Sequence, residues 1–248
     1  MEALTYISLI AVVLIGGGIV TALKNNLANG LKYILAFSGA FLLAISVMHI
    51  IPEVYESSVK KVGVFVLVGF LIQLFLEFFS QGIEHGHIHV HNHVSKSFPI
   101  VIMISLCIHS LLEGIPLVRE ISHDLHTHGG GHHDHSDHSL LLGILLHKLP
   151  ISIALMSMFV KSKLKLSKAF IWLFVFALMA PLGTFLGTVF KDYLIDFTAF
   201  FDIILAIVLG MFLHISTTIL FESDQSHKFN FLKLSLIILG GGLAYFAS

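Results

Sequence analysis

Charged residues are scarce in this sequence. Only 12% of its 248 residues are Asp, Glu, Lys or Arg, whereas 56% are hydrophobic. In soluble domains about a quarter of the residues are charged. The formal net charge of −1 excludes the concentrated basic surface that nucleic-acid binding requires. The composition therefore predicts a protein that crosses the lipid bilayer several times and has no nucleic-acid partner.

Cysteine is almost absent from the sequence. The commonest motif of zinc proteases is absent as well. The single cysteine, Cys107, lies in an apolar run, so no intramolecular disulfide can form. The sequence contains no His-Glu-x-x-His pattern, which removes the commonest zinc-protease motif. A basic leader segment before the first apolar run is also missing, so we expect that run to be retained as a span.

Apolar runs long enough to cross a bilayer, about 20 residues, occur eight times. We predict an all-α, polytopic membrane helical bundle that forms one domain over residues 1–248, with eight transmembrane helices. Gln73 and Glu77 interrupt the third run, and we expect both to face a partner helix or the membrane interface rather than an ion pathway. The predicted spans are 4–23, 32–53, 62–82, 98–120, 139–160, 168–190, 198–222 and 229–247.

The basic residues between these spans are distributed unevenly, and this predicts the orientation. With both termini outside, nine Lys residues fall on the cytoplasmic side and four basic residues fall outside, as the positive-inside rule favours. The strongest cytoplasmic segment is KSKLKLSK, residues 161–168. The short chain favours a bacterial plasma membrane, that is, the inner membrane.

Two predicted loops are rich in histidine. Residues 85–93 and 123–138 together contain twelve of the 17 histidines. Such tracts bind transition-metal ions weakly and adaptably, although plain polar spacers remain an alternative. Since one span separates them, they lie on opposite faces of the membrane and cannot share a metal centre. This argues against a di-iron hydroxylase, the main enzyme alternative, and we expect no enzyme.

Four further histidines lie inside predicted spans, where ionisable groups are costly and mark ion or proton routes. Each has another polar side chain adjacent or at helical spacing. The four groups are His49 with Glu53, His109 with Glu113, His147 with Lys148, and His214 with Thr218 and Glu222.

The group on span four is the most informative. His109 and Glu113 are four residues apart, so a helix places both side chains on one face. His147 lies at a similar depth on the next, antiparallel span, and Pro116 and Pro150 follow the two polar stripes. Imidazole and carboxylate ligands suit Zn²⁺, Fe²⁺ and similar ions. We therefore predict that His109, Glu113 and His147 converge on one cation.

Five segments resemble, in order, the ZIP (Zrt/Irt-like) family of divalent metal permeases. HSLLEGIPL, beginning at His109, resembles the fourth-span motif of that family, and LLHKLPISIAL resembles its fifth span. GAFLLAISVMHIIPE, APLGTFLG and GMFLHISTTILFES resemble spans two, six and seven.

The resemblance implies an eight-span transporter that carries a divalent metal toward the cytoplasm, with no cofactor besides the ion. Zinc is the expected ion, and iron, manganese and cadmium are alternatives. By motif position His109, Glu113 and His147 would be metal ligands. The residues implied in the transport pathway are His49, Glu53, Ser110, Lys148 and His214.

One position departs from the family pattern. Members with two metals carry carboxylates on span five, whereas here Lys148 follows His147 and Ile151 occupies the next turn. We expect the Lys148 ammonium to replace a second cation and to pair with Glu113. The alternative for Lys148 is a side chain that extends toward water.

Other interpretations stay open at this stage. His109 with Glu113 could be a hydrogen-bonded link between helices, His214 could bond to nearby backbone, and His49 with Glu53 could be a solvated helix end. A cation exporter of the diffusion-facilitator type is a further functional alternative, although it would show fewer spans. Glycine-rich segments allow close helix packing and could also support a homodimer.

Overall fold

The computed structural model describes residues 2–23, 27–80, 82–83, 100–119, 139–194, 196–222 and 231–247. Every regular element in these ranges is helical, which confirms the predicted all-α class. The two histidine-rich segments, 85–93 and 123–138, lie outside the described residues.

The described chain forms eight long helices, each of which overlaps one predicted span. Seven of them are long and apolar enough to cross a membrane, and the last is an apolar helix of 16 residues. The predicted multi-pass helical bundle is confirmed. The helices are α1 (Glu2–Leu23), α2 (Leu27–Ile45), α3 (Val62–Ser80), α4 (Ile100–Gly114), α5 (Ser139–Lys161), α6 (Leu166–Tyr193), α7 (Phe197–Glu222) and α8 (Phe231–Phe246).

The second helix continues beyond Ile45 through one π-helical turn, Ser46–Ile50, and a short α-helical end, Ile51–Glu56. In the π turn the Ile51 N–H donates to the Ser46 carbonyl five residues earlier. Such a turn inserts one extra residue into the helix and is frequent at functional sites. It therefore alters the helical spacing between His49, inside the turn, and Glu53, beyond it.

The fourth helix ends at Gly114 because Pro116, in the turn that follows, has no N–H to donate. The Gly114 carbonyl accepts a hydrogen bond of 2.9 Å from the Thr184 hydroxyl of α6. A Cβ atom added at Gly114 would lie 2.2 Å from the Ala180 carbonyl oxygen. The end of α4 is thus held against the backbone of α6.

Glycine contacts also hold two other helix pairs together. A Cβ at Gly210 of α7 would lie 1.9 Å from the Val66 carbonyl oxygen of α3, and one at Gly240 of α8 would lie 2.5 Å from the Phe37 carbonyl oxygen of α2. Only glycine permits such close backbone approach. These contacts fix α3 against α7 and α8 against α2.

The fifth helix is the most enclosed of the long helices. Of its most apolar 18-residue window, 72% is buried, compared with 22% for α3. It packs against α1, α2 and α6. Polar residues on α5 are therefore kept away from lipid, and this places the candidate site inside the bundle.

Candidate metal centre

Five polar side chains of α4 and α5 share the interior of the bundle. They are fully or almost fully buried, with exposed fractions of 0 to 1%: His109, Ser110, Glu113, His147 and Lys148. Ionisable groups at such depth require partners that satisfy them. Their contacts bring these side chains together.

Glu113 is the centre of this group. Its Oε2 lies 3.2 Å from His109 Nε2, one helical turn earlier, and its Oε1 forms a salt bridge with the Lys148 ammonium. Lys148 Nζ also donates a hydrogen bond of 2.7 Å to Ser110 Oγ. The predicted Lys148–Glu113 pair is therefore present, and the alternative of a lysine that extends to water is wrong.

His147 brings a second imidazole to the same place. Its ring lies edge-on to the His109 ring, with 6.1 Å between ring centroids. Within the described ranges, however, no group of three or more His, Cys, Asp or Glu side chains is arranged to hold a metal ion. Lys148 occupies one carboxylate oxygen of Glu113 in this arrangement. Metal ligation by His109, Glu113 and His147 stays a prediction.

A glutamine of α3 completes the contacts of His109. Gln73 is fully buried, and its Oε1 lies 3.0 Å from His109 Nδ1. Gln73 faces a partner helix, as the sequence predicts, but it contacts a predicted metal ligand, and the sequence did not identify this partner. The available signal was weak: a glutamine and a glutamate one turn apart in an otherwise apolar run.

A second histidine–carboxylate pair joins α7 to α3. His214 Nε2 forms a short contact with Glu77 Oε2, and the Phe70 ring packs edge-on against the imidazole with 4.7 Å between centroids. The Thr218 hydroxyl, which the sequence associated with His214, donates to the His214 backbone carbonyl. The imidazole of His214 is therefore linked to another helix as well as lying on its own polar stripe.

The end of α2 is organised differently from what the spacing predicts. Glu53 forms a salt bridge of 2.5 Å with Arg119, in the segment that follows α4, and both side chains are about half exposed. His49 lies in the π turn, and its Nε2 is buried without a hydrogen-bond partner among the described residues. Both residues lie near the same end of the bundle, and Glu53 is held there by α4.

Comparison with known proteins identifies a family. The family model described as "ZIP Zinc transporter" matches residues 93–248, more than half of the chain and all of α4 to α8. The curated Protein zntD of Dictyostelium discoideum is 30% identical over 174 residues, which cover 66% of this chain and 24% of that relative. The match thus spans about a quarter of the relative's length. This multi-pass membrane protein belongs to the ZIP zinc transporter family.

Proposed function

We propose that this protein transports a divalent cation, with zinc as the first candidate, toward the cytoplasm between α4 and α5. The observation that carries this proposal is the complete burial of His109, Glu113 and His147 at one place inside a membrane bundle. Two imidazoles and a carboxylate are zinc ligands. Their burial away from lipid supports a binding site on a transport route.

The spacing of the donor atoms supports the same conclusion. In a tetrahedral zinc site with bonds of about 2.0 to 2.1 Å, two ligand atoms lie roughly 3.3 Å apart. His109 Nε2 and Glu113 Oε2 are 3.2 Å apart. These two atoms can therefore bind one ion with little rearrangement, and His147 is the third ligand that we propose.

Lys148 fits this function because its ammonium supplies the positive charge beside Glu113 when no ion is bound. A buried carboxylate without a cation is strongly destabilising, and Lys148 supplies that cation through its salt bridge with Glu113. A transported ion that binds Glu113 competes with this ammonium. We propose that Lys148 retreats toward Ser110, its other partner, when the ion binds, and that the site holds one metal ion.

The proposed orientation in the membrane rests on charge, whereas the proposed direction of transport rests on the resemblance to the ZIP family. By the predicted spans, nine Lys residues belong to one side of the membrane and four basic residues to the other, and the side rich in lysine is cytoplasmic by the positive-inside rule. This places both termini, and the pair Glu53–Arg119, on the outside. His49 and Glu53 then lie near the outer mouth of the route, and a bacterial plasma membrane is the proposed location.

Metal uptake by purified protein in proteoliposomes tests this function. We expect zinc to accumulate in the vesicles, and we expect His109→Ala and Glu113→Ala to reduce uptake to the level of protein-free vesicles. Ile108→Ala is the matched control, because Ile108 is the neighbour of His109 on the exposed face of α4. Uptake that persists in both site variants would contradict the proposal. Iron, manganese and cadmium are measured in parallel.

A further inference from the structure

Gln73 is an internal polar residue on an external helix. Most of α3 is turned away from the bundle interior, with only 22% of its apolar window buried, yet Gln73 is fully buried. One turn further along, the Leu76 carbonyl accepts a hydrogen bond of 2.5 Å from Ser105 of α4. This bond fixes the register of α3 on α4 and holds the carboxamide opposite His109.

The contact between Gln73 and His109 determines where the imidazole carries its proton. A carboxamide oxygen has no hydrogen and acts only as an acceptor. Gln73 Oε1 lies 3.0 Å from His109 Nδ1, so this contact is a hydrogen bond when Nδ1 carries the proton. A neutral imidazole has a single N–H, so Nε2 then carries a lone pair.

That lone pair points to the carboxylate. His109 Nε2 lies 3.2 Å from Glu113 Oε2, and in the Nδ1–H tautomer these are two acceptor atoms that face each other across a short gap. Without Gln73 the imidazole would take the opposite tautomer and donate Nε2–H to Glu113. With Gln73, the gap favours a cation that both atoms can bind.

We propose that Gln73 is a positioning residue that holds His109 as the Nδ1–H tautomer and thereby presents Nε2 to the transported cation. This inference rests on the proposed function, in which His109 is a metal ligand. Gln73 itself touches no ion. It acts as the outer hydrogen-bond partner that metal-binding histidines require, whose loss costs about 10- to 100-fold in metal affinity or activity.

Two substitutions at Gln73 separate positioning from helix packing. Gln73→Leu has a similar size and no acceptor, whereas Gln73→Glu retains an acceptor oxygen. Leu74→Ala is the control on the same helix, because Leu74 is 49% exposed. The measurements are the ¹⁵N NMR shifts of the His109 ring in detergent-purified, metal-free protein, assigned by their absence in His109→Ala, and the KM and Vmax of zinc uptake.

We expect the wild-type ring to show the Nδ1–H tautomer and Gln73→Leu to show the Nε2–H tautomer. The apparent KM for zinc should rise about 10- to 100-fold in Gln73→Leu, with a smaller change in Vmax. Gln73→Glu should restore the tautomer and most of the affinity, and Leu74→Ala should match the wild type. A purely structural role would lower folded yield without changing the tautomer.

The outcomes separate this inference from the proposed function. If His109→Ala abolishes uptake but Gln73→Leu leaves the tautomer and the KM unchanged, the positioning role is wrong and the function stands. If the tautomer changes in Gln73→Leu while Gln73→Leu and His109→Ala both transport zinc normally, the transport role of His109 is wrong. Equal loss of affinity in Gln73→Leu and Gln73→Glu would also overturn the positioning role.

Discussion

Among the described residues, two histidine–glutamate pairs lie inside the bundle, and they are built in different ways. His109 and Glu113 are one turn apart on the same helix, and both are fully buried. His214 and Glu77 belong to different helices, α7 and α3, and their side chains are 7% and 18% exposed. The same two residue types thus form an enclosed pair within one helix and a shallower pair between two helices.

The difference shows that a fully buried carboxylate needs a partner to balance its charge. Glu113 has no exposed surface, so protein groups must balance its charge, and Lys148 does so directly. Glu77 retains some exposure, so water can share in solvating it. The enclosed pair is therefore the one whose charge balance, we propose, is exchanged for that of a transported ion.

Replacement of the two glutamates gives the largest expected contrast. Glu113→Gln removes the charge that a cation requires, and we expect uptake of zinc to fall by at least about 100-fold, the upper end of the range for metal-site partners. Glu77→Gln should reduce uptake by less than about tenfold, since Glu77 lies outside the proposed ligand set. Initial uptake rates in proteoliposomes measure both. Equal losses in the two variants would show that the pairs are equivalent.

Replacement of Lys148 tests the charge balance of the enclosed pair. Lys148→Met leaves Glu113 without its buried cation, which should lower the free energy of unfolding by about 3 to 5 kcal/mol in metal-free protein. Bound zinc would then restore the missing charge, so the thermal stabilisation by zinc should be larger in Lys148→Met than in the wild type. Thermal denaturation in detergent with and without zinc measures this.

Lys161→Met is the control for Lys148, because Lys161 lies at the exposed end of the same helix. It should change neither the stability nor the response to zinc. A Lys148→Met protein as stable as the wild type without metal would show that the ammonium does not replace a cation.

The contrast between the pairs also explains which contacts could be read from the sequence. His109 and Glu113 are four residues apart, and one helical period is enough to place them on one face. The sequence also predicted that His147 and Lys148 lie near this pair, because both are on the next, antiparallel span at a similar depth. Within the α4–α5 centre, the sequence therefore predicted the central residues and the Lys148–Glu113 pair.

The partners that come from α3 had no comparable signal. Gln73 lies 36 residues from His109 along the chain, and Glu77 lies 137 residues from His214. No local period relates residues so far apart, because their contacts depend on how the helices pack. The π turn of α2 was also not predicted, since one inserted residue leaves the composition of an apolar run unchanged.

A glycine in α7 tests the dependence of the shallower pair on helix packing. The Cβ of Gly210→Ala would lie 1.9 Å from the Val66 carbonyl oxygen of α3, so α7 must move away and His214 must separate from Glu77. We expect a loss of about 1 to 3 kcal/mol in unfolding free energy, as for other overpacked sites. The enclosed pair lies on one helix and should keep its affinity for zinc.

Gly18→Ala is the control for Gly210→Ala, because a Cβ atom at Gly18 meets no heavy atom within 4 Å in the described structure. It should melt at or slightly above the temperature of the wild type, because alanine is a better helix former than glycine. If Gly210→Ala raised the KM for zinc as strongly as the replacement of Gln73, the two pairs would not be independent.

The smallest expected effect concerns the hydrogen bond that joins α6 to the end of α4, beside the enclosed pair. Thr184 donates to the carbonyl of Gly114, the residue directly after Glu113. Thr184→Val keeps the shape of the side chain and removes that donor, so we expect a loss of about 0.6 kcal/mol, the average for hydrogen bonds between membrane helices. Thr188→Val is the control, since Thr188 donates only within α6 to the Thr184 carbonyl. If the free energy of zinc binding fell by more than the free energy of unfolding, α6, as well as α4 and α5, would set the geometry of the carboxylate.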